Sequence, residues 1–270
     1  MKSTGERLLP SITNESMIEH LHRYSLAKEF CRNKTILDIA CGEGYGSNLI
    51  SEVAEHIYAI DIDQEAINNA KEKYIKKNLE FKCSSIENIP LENNSVDVIL
   101  CFETIEHVSD YIKALKELKR VLKKEGLLII STPNKTNYTD RTGYHNPFHI
   151  HEFIKSEFNE LLSGFFKYNE FLSQGFLYGS FLWNENKMTN TRFYDGNYNK
   201  IVCLPSEDSE LYFIVLCSDH PFTFPAINSF FKANDLLIET YKVYSSKSYI
   251  IGHAILYPLL LIKKLFQRKK

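Results

Sequence analysis

The stretch that decides the fold is Leu37-Asp38-Ile39-Ala40-Cys41-Gly42-Glu43-Gly44-Tyr45-Gly46. It leaves an apolar run (TILDIA, 35–40), turns through three glycines spaced two apart, and opens a helical pattern (YGSNLISEVA, 45–54). In doubly wound α/β folds, a loop of this kind binds a nucleotide-like ligand, because glycines let the ligand lie against the backbone. A glycine loop alone is weak evidence, since an ordinary tight turn produces the same pattern.

The segments on either side of this loop continue the alternation of strand and helix. Apolar runs at 56–61, 79–83, 95–102 and 127–132 are separated by amphipathic stretches at 64–77 and 110–124, the latter closed by Gly126. Strands that are apolar on both faces and joined by helices indicate a mostly parallel sheet covered on both sides. The sequence therefore predicts an α/β protein of the Rossmann-like type with helices on both faces of its sheet.

The remaining segments suggest three parts. Residues 1–34 form a cap segment and a helix, which we predict at Ser16–Cys31 with Ser16 as its N-cap. The main domain occupies 35–220, and a C-terminal extension occupies 221–270. Late in the main domain we predict a helix at Lys155–Ser163 and strands at 168–176 and 210–218. Residues 179–209 are polar and aromatic, and we expect an insertion there that contacts substrate or forms a lid.

Composition narrows the classes of partner. The 270 residues contain 44% hydrophobic and 24% charged residues and carry a net charge of −2, so no basic field favours nucleic acid. The six cysteines form no CxxC pair, which favours reduced thiols in a cytoplasmic protein over zinc or disulfides. The first sixteen residues contain no apolar run of signal-peptide length, so we expect no export.

The charges around the glycine loop indicate what its ligand is. Asp38 and Glu43 would repel a pyrophosphate, and the loop lacks G-x-G-x-x-G spacing, so an NAD-dependent oxidoreductase is disfavoured. A carboxylate there suits a ligand with an ammonium group, such as the methionine part of S-adenosylmethionine. Asp61 closes the second strand, where a carboxylate accepts both hydroxyls of a ribose. Asp63 lies past the strand end, where we expect it to cap the next helix.

Four stretches in this order and spacing carry a family resemblance: ILDIACGEGYG, AIDID, IENIPLENNSVDVIL and GLLIISTPN. Together they resemble class I S-adenosylmethionine-dependent methyltransferases over about residues 20–135. The resemblance implies a seven-stranded sheet whose last strand, supplied by 210–218, is antiparallel. It also implies a cofactor site in which Asp38, Gly42 and Gly44 line the methionine side and Asp61 holds the ribose. The full set of cofactor-binding residues in this domain would be Asp38, Ala40, Gly42, Gly44, Asp61, Ile62, Ser84, Ser85, Ile86 and Phe102.

The sequence departs from the family where the adenine would bind. An acidic residue after the third strand often contacts the adenine amino group in this family, whereas this chain has Cys83-Ser84-Ser85-Ile86. Ser84 or a backbone group would have to serve instead.

Carboxylates and histidines follow the fourth strand. Glu103, Glu106 and His107 would lie on one side of a helical turn, and two carboxylates with an imidazole can hold a divalent cation such as Mg²⁺ or Mn²⁺. His149 and His151 follow the fifth strand and emerge at the same sheet edge. The alternative is that Glu106 and His107 cap the next helix and that a histidine is a metal-free base. In either case His149, His107 and His151 are the candidates for deprotonating an acceptor.

The E-x-x-E-H pattern with a downstream histidine is similar to the metal site of two methyltransferase groups. One group methylates the 2′-hydroxyl of small-RNA 3′ ends, and the other methylates polyprenyl catechols in ubiquinone synthesis. That resemblance implies four metal ligands: Glu103, Glu106, His107 and His149. An acceptor with vicinal hydroxyls could chelate the ion, which would lower the hydroxyl pKa and orient the attacking oxygen.

A further resemblance concerns the acceptor. TGERLLP, EHLHRY, CGEGYGS, FETIEH and NPFHIHEF together resemble a bacterial methyltransferase subgroup associated with surface-polysaccharide and glycan biosynthesis. It implies that the N-terminal segment covers the cofactor, with Arg23 and Tyr24 near its carboxylate or adenosine. The leading expectation is O-methylation of a sugar hydroxyl on a glycan or lipid-linked oligosaccharide. A quinol, a catechol or an RNA ribose hydroxyl is the alternative acceptor, and a non-catalytic nucleotide-binding module is a more remote alternative.

The C-terminal segment 249–270 combines an apolar run with a basic end. The run is shorter than the ~20 residues that span a bilayer, and Pro258 interrupts it. An apolar helix followed by cations can lie on the inner face of an anionic membrane. A packed terminal helix with a solvated basic tail fits the same sequence.

Overall fold

A computed structural model describes residues 15–176, 180–184, 193–197, 200–204, 210–223 and 229–231. The chain divides into two compact units, residues 1–231 and 232–270, and every described residue lies in the first. The predicted membrane-surface segment 249–270 and the TGERLLP segment (4–10) lie outside the described residues. Within the described ranges, no helix is both long and apolar enough to cross a membrane.

Eleven strands are present in the described ranges, and nine of them form one sheet. Their bounds are β1 Thr35–Ile39, β2 His56–Asp61, β3 Leu79–Cys83, β4 Val96–Phe102, β5 Leu122–Pro133, β6 Tyr168–Phe176, β7 Ser180–Asn184, β8 Phe193–Asn197, β9 Lys200–Leu204, β10 Tyr212–Ser218 and β11 Ser229–Phe231. β8 and β9 pair with each other as a separate antiparallel hairpin.

The order of strands in the sheet is β11-β7-β6-β10-β5-β4-β1-β2-β3. Neighbours from β5 to β3 are parallel, and β10 is antiparallel to both β5 and β6. The predicted seven-stranded core, with the strand at 210–218 antiparallel, is therefore confirmed. β7 and β11 extend this core at the edge beyond β6.

Helices cover both faces, as the sequence predicts. The helices are α1 Glu15–Lys28, α2 Tyr45–Ile50, α3 Gln64–Lys73, α4 Tyr111–Val121 and α5 Lys155–Ser163. Side chains alternate across each strand, so Leu37 and Ile39 of β1 pack with α4 and α5, while Ile36 packs on the opposite face with α1, α2 and α3. The parallel strands β1, β2 and β4 end at one edge of the sheet, where the predicted site residues follow them.

Some element boundaries differ from expectation. The helix predicted at Ser16–Cys31 spans Glu15–Lys28, so the prediction that Ser16 is its N-cap is wrong. The helix predicted at 110–124 ends at Val121, because Leu122 is buried in the core and pairs with Val96 as the start of β5. Asp63 caps α3 as predicted, accepting from the backbone N–H of Glu65 and Ala66.

The expected insertion at 179–209 is described in part. Strands β7, β8 and β9 occupy much of this segment, where the sequence indicated no secondary structure. A role in contacting substrate or closing a lid stays a prediction.

Candidate functional site

The loop after β1 departs from ordinary backbone conformation at three places. Ala40, Gly42 and Gly44 have φ of 59°, 55° and 74°, in the left-handed region that favours glycine. A Cβ on Gly44 would lie 2.6 Å from an atom of the Phe81 ring, so this glycine is also required for packing. Ala40 is exposed although it directly follows a buried strand, and strained backbone of this kind clusters at ligand sites.

Asp38 lies behind this loop instead of at its surface. Its side chain is only 1% exposed. Its carboxylate accepts hydrogen bonds from the hydroxyl of Ser47 at 2.5 Å and from that of Tyr24 at 3.2 Å to each oxygen. Burial raises the pKa of Asp38 to about 7, although both hydroxyl donors act in the opposite direction. Asp38, which was predicted to line the methionine side, thus stabilises the loop from the buried side.

Asp61 ends β2 and ties two segments together. One oxygen accepts from the backbone N–H of Gly42 at 2.8 Å, and the other accepts from that of Asp63 at 2.9 Å. A carboxylate can accept about four hydrogen bonds, so each oxygen keeps capacity for a ribose hydroxyl. The next residue, Ile62, is 74% exposed, which places a large apolar side chain at the surface beside the predicted ribose ligand.

The segment predicted to contact adenine follows β3. The backbone N–H of Ser84 donates to the Asp61 carbonyl at 3.0 Å, so this segment lies against the end of β2. The Ser84 hydroxyl donates to the Asn88 carbonyl at 2.8 Å, and the Ser85 hydroxyl accepts from the Glu87 N–H. Ile86 is buried.

Arg23 of α1 is a buried cation with open donors. Its side chain is 1% exposed, its Nε donates to the side-chain oxygen of Gln174 at 2.7 Å, and its guanidinium lies 4.4 Å from the centre of the Tyr212 ring. Nη1 lies 3.4 Å from an oxygen of Glu103, yet neither Nη1 nor Nη2 donates a hydrogen bond to any described residue. Buried donors without acceptors cost free energy, and an anionic group bound there would remove that cost.

Tyr24, the neighbour of Arg23, joins α1 to the glycine loop. Its ring packs edge-on against Phe102 at 5.2 Å and Tyr45 at 5.9 Å between centroids. The two residues predicted to cover the cofactor therefore act differently: Arg23 presents donors, whereas Tyr24 holds Asp38.

Three of the four predicted metal ligands come together after β4 and β5. Ligand atoms of Glu106, His107 and His149 all lie within 4.8 Å of one another. Glu106 is fully buried; one of its oxygens accepts from the Thr132 hydroxyl at 3.1 Å, and the other has no hydrogen-bond partner in the described ranges. Burial, reinforced by the nearby carboxylate of Glu103, raises the pKa of Glu106 well above its usual range. A divalent cation would favour the charged form and satisfy the open oxygen.

The structure does not bring Glu103 into this group of three. Its backbone is left-handed, with φ of 46°, and its carboxylate accepts from the Ser131 hydroxyl at 2.6 Å on the side that faces Arg23. His151 is also apart from the group, because its ring packs against Tyr111 at 5.4 Å and Phe153 at 4.5 Å. Its backbone N–H and that of Ile150 donate to the Glu106 carbonyl, which fixes the histidine loop over the end of β4.

Several residues of the site were not found from the sequence. Gln174 and Tyr212 orient Arg23 from β6 and β10, about 150 and 190 residues away along the chain, and no local pattern connects them. A polar residue inside the strand pattern of 168–176 was the one available signal for Gln174. Glu152 bonds His149 from three residues away, and the H-x-x-E spacing could have been noticed.

Known proteins are similar in sequence to the part of the chain that carries this site. Residues 37–130 match the model of a family described as "Methyltransferase domain". A probable S-adenosylmethionine-dependent methyltransferase of Mycobacterium tuberculosis is 35% identical over 162 residues, which cover 59% of this chain and 58% of that protein. A ubiquinone biosynthesis O-methyltransferase of Haemophilus ducreyi is 30% identical over 110 residues, covering 38% of this chain and 47% of that protein. The chain thus spans less than two thirds of the length of these relatives.

The fold has a counterpart among solved structures. The YcgJ protein of Bacillus subtilis superposes with a TM-score of 0.55 at 19% identity, covering 75% of this chain and all of that one. This similarity supports the Rossmann-like fold.

Proposed function

We propose that this chain, whose residues 37–130 are a methyltransferase domain of the S-adenosylmethionine-dependent class, methylates a hydroxyl group of a sugar on a glycan or lipid-linked oligosaccharide. The observation that carries the proposal is a juxtaposition at one sheet edge. The glycine loop, with left-handed backbone at Ala40, Gly42 and Gly44, follows β1, and the Asp61 carboxylate follows β2. Glu106, His107 and His149 gather after β4 and β5 at the same edge.

The residues present fit S-adenosylmethionine. The open Nη1 and Nη2 donors of Arg23 suit the cofactor carboxylate, and Asp61 has acceptor capacity for the ribose. Exposed Ile62 offers an apolar surface for one face of the adenine. When bound, the cofactor supplies a methyl group on a sulfonium, and the protein contributes mainly by positioning the acceptor in line with it.

The cluster of Glu106, His107 and His149 fits a divalent cation of the Mg²⁺ or Mn²⁺ type. It combines one carboxylate that has an unsatisfied oxygen, a ligand that suits Mg²⁺ and Mn²⁺, with two imidazoles, which favour Mn²⁺ because Mg²⁺ prefers oxygen ligands. A cation there would lower the pKa of a coordinated hydroxyl and orient its oxygen. Without a cation, His149 is the candidate general base, with His107 and His151 as further candidates.

The choice of a sugar acceptor rests on the resemblance of five short sequence stretches to the glycan-associated subgroup. A quinol or catechol hydroxyl is the second candidate, and the similarity to ubiquinone biosynthesis O-methyltransferases favours it. Vicinal hydroxyls are common to sugars and catechols, and both chelate a cation in the same way. An RNA ribose hydroxyl is disfavoured by the net charge of −2.

The test uses the full chain with S-adenosylmethionine labelled in its methyl group. We expect label to enter an oligosaccharide with free vicinal hydroxyls, to stop entering with EDTA, and to resume with Mn²⁺. His149→Ala should abolish transfer, whereas His56→Ala, at the opposite end of β2, should not. Label in catechol alone would replace the sugar with the second acceptor. Full turnover in EDTA would refute the requirement for a divalent cation.

A further inference from the structure

The contact between His149 and Glu152 has no place in the proposed reaction so far. Nδ1 of His149 lies 2.5 Å from a carboxylate oxygen of Glu152, and the two side chains are only 7% and 9% exposed. Because water competes little at such burial, this hydrogen bond is stronger than an exposed one of the same geometry.

The partners of His149 determine which of its nitrogens carries the proton. The Glu152 carboxylate only accepts, so Nδ1 must donate to it. Nε2 lies 3.0 Å from the side-chain nitrogen of Asn146. The oxygen of that amide accepts from the backbone N–H of Phe148, which establishes that the Asn146 nitrogen faces the ring. Nε2 therefore carries no proton and accepts from the Asn146 amide, a hydrogen bond that a bound cation would replace.

His107 has the same arrangement. Its Nδ1 lies 3.0 Å from the Phe148 carbonyl, which only accepts, so the proton is on Nδ1. Its Nε2 lies 3.9 Å from the unsatisfied oxygen of Glu106. Both histidines of the cluster therefore donate from Nδ1, which leaves Nε2 as the nitrogen through which each ring would bind a metal.

The geometry points to Glu152 as the positioning residue of the cation site: its carboxylate holds His149 with Nδ1 protonated, so that Nε2 is left unprotonated and can exchange the Asn146 N–H for a cation. This inference rests on the proposed function and extends it to a residue that coordinates nothing itself. A carboxylate behind a ligating histidine fixes the ring and raises its basicity, and losing such a partner typically costs about 10–100-fold in metal affinity. The Tyr138 ring packs beside that of His149, with 5.7 Å between the ring centroids.

The experiment compares Glu152→Ala, Glu152→Gln and a matched control, Glu160→Ala, in the full chain. Glu160 is exposed on α5, so its variant removes the same charge nearby. Nitrogen-15 spectra of the histidine rings, assigned with His149→Ala, report the tautomer, and calorimetry reports Mn²⁺ affinity. S-adenosylhomocysteine affinity confirms that each variant folds.

We expect Glu152→Ala to lose the pure Nδ1-protonated signature of His149 and to bind Mn²⁺ about 10–100-fold more weakly. The Mn²⁺ affinity of Glu152→Gln should lie between those of Glu152→Ala and the wild type, because the amide oxygen still accepts from Nδ1. Glu160→Ala should match the wild type. An unchanged tautomer and unchanged Mn²⁺ affinity in Glu152→Ala would overturn the inference. A wild-type chain that binds no Mn²⁺ would refute the cation alone, since the tautomer comparison needs no metal.

Discussion

Replacing Gly46 with alanine tests whether α1 packs tightly on the glycine loop that follows β1. An ideal Cβ on Gly46 would lie 1.9 Å from Cζ of Tyr24 and within 2.4 Å of two further ring atoms. Carbon atoms in contact are roughly 3.5–4 Å apart, so the ring would have to move by about 1.5 Å or more. The ring cannot move freely, because Phe102 packs edge-on against it and its hydroxyl is bonded to Asp38.

The cost of the Gly46→Ala change follows from these contacts. Overpacking of a buried site costs about 1–3 kcal/mol. A ring that leaves its site also gives up a hydrogen bond to a carboxylate, worth about 1.5–3 kcal/mol. We therefore expect the free energy of unfolding, measured by urea denaturation, to fall by about 1–6 kcal/mol. Gly164→Ala is the control, since its Cβ would meet only two carbonyl oxygens, at 3.3 and 3.8 Å, and its φ is −69°.

A double variant identifies the cause. In a Tyr24→Leu background the clashing ring atoms are absent, and alanine is favoured over glycine inside a helix by about 1 kcal/mol. Gly46→Ala should then be neutral or stabilising, which gives a large coupling energy between the two sites. Equal costs of Gly46→Ala in both backgrounds, or a Gly46→Ala chain as stable as the wild type, would refute the packing of α1 on this loop.

Two other predictions concern charges in the same region. Burial raises the pKa of Asp38 to about 7, against about 4 in an unfolded chain, so the folded state retains a proton between these values and loses stability as the pH rises through them. The Asp38→Asn side chain cannot ionise. Thermal unfolding should therefore show the variant's free energy of unfolding exceeding that of the wild type by a margin that grows from near zero at pH 4 to on the order of 4 kcal/mol above pH 7. A margin independent of pH would contradict the raised pKa. Arg23→Lys keeps the charge but loses the planar set of donors, so S-adenosylhomocysteine should bind at least about tenfold more weakly in calorimetry, whereas equal affinity would exclude Arg23 as the carboxylate ligand.

The sheet could be predicted because local patterns determine it. The apolar strands, the helices between them and the cap at Asp63 each follow from residues close together in sequence. The boundary of α4 was not predictable, because Leu122 continues the helical pattern and only its pairing with Val96 makes it a strand residue.

The inner arrangement of the site depends on contacts between distant segments. The sequence placed Glu103 with Glu106 by their spacing, yet a left-handed backbone at Glu103 directs its carboxylate to Ser131 and Arg23. Gln174 and Tyr212 reach Arg23 only once the sheet has formed. Strained backbone and long-range packing of this kind leave no periodic pattern in a single sequence.

Calorimetric titration with S-adenosylhomocysteine tests the cofactor assignment most directly. The wild type should bind it, and Asp61→Ala should bind about a hundredfold or more weakly, since two hydrogen bonds from ribose to a carboxylate are worth about 1.5–3 kcal/mol each. Asp63→Asn, which keeps a capping side chain two residues away, should bind as the wild type does. Binding by Asp61→Ala that equals the wild type, or a wild type that does not bind at all, would contradict a cofactor held at this edge of the sheet.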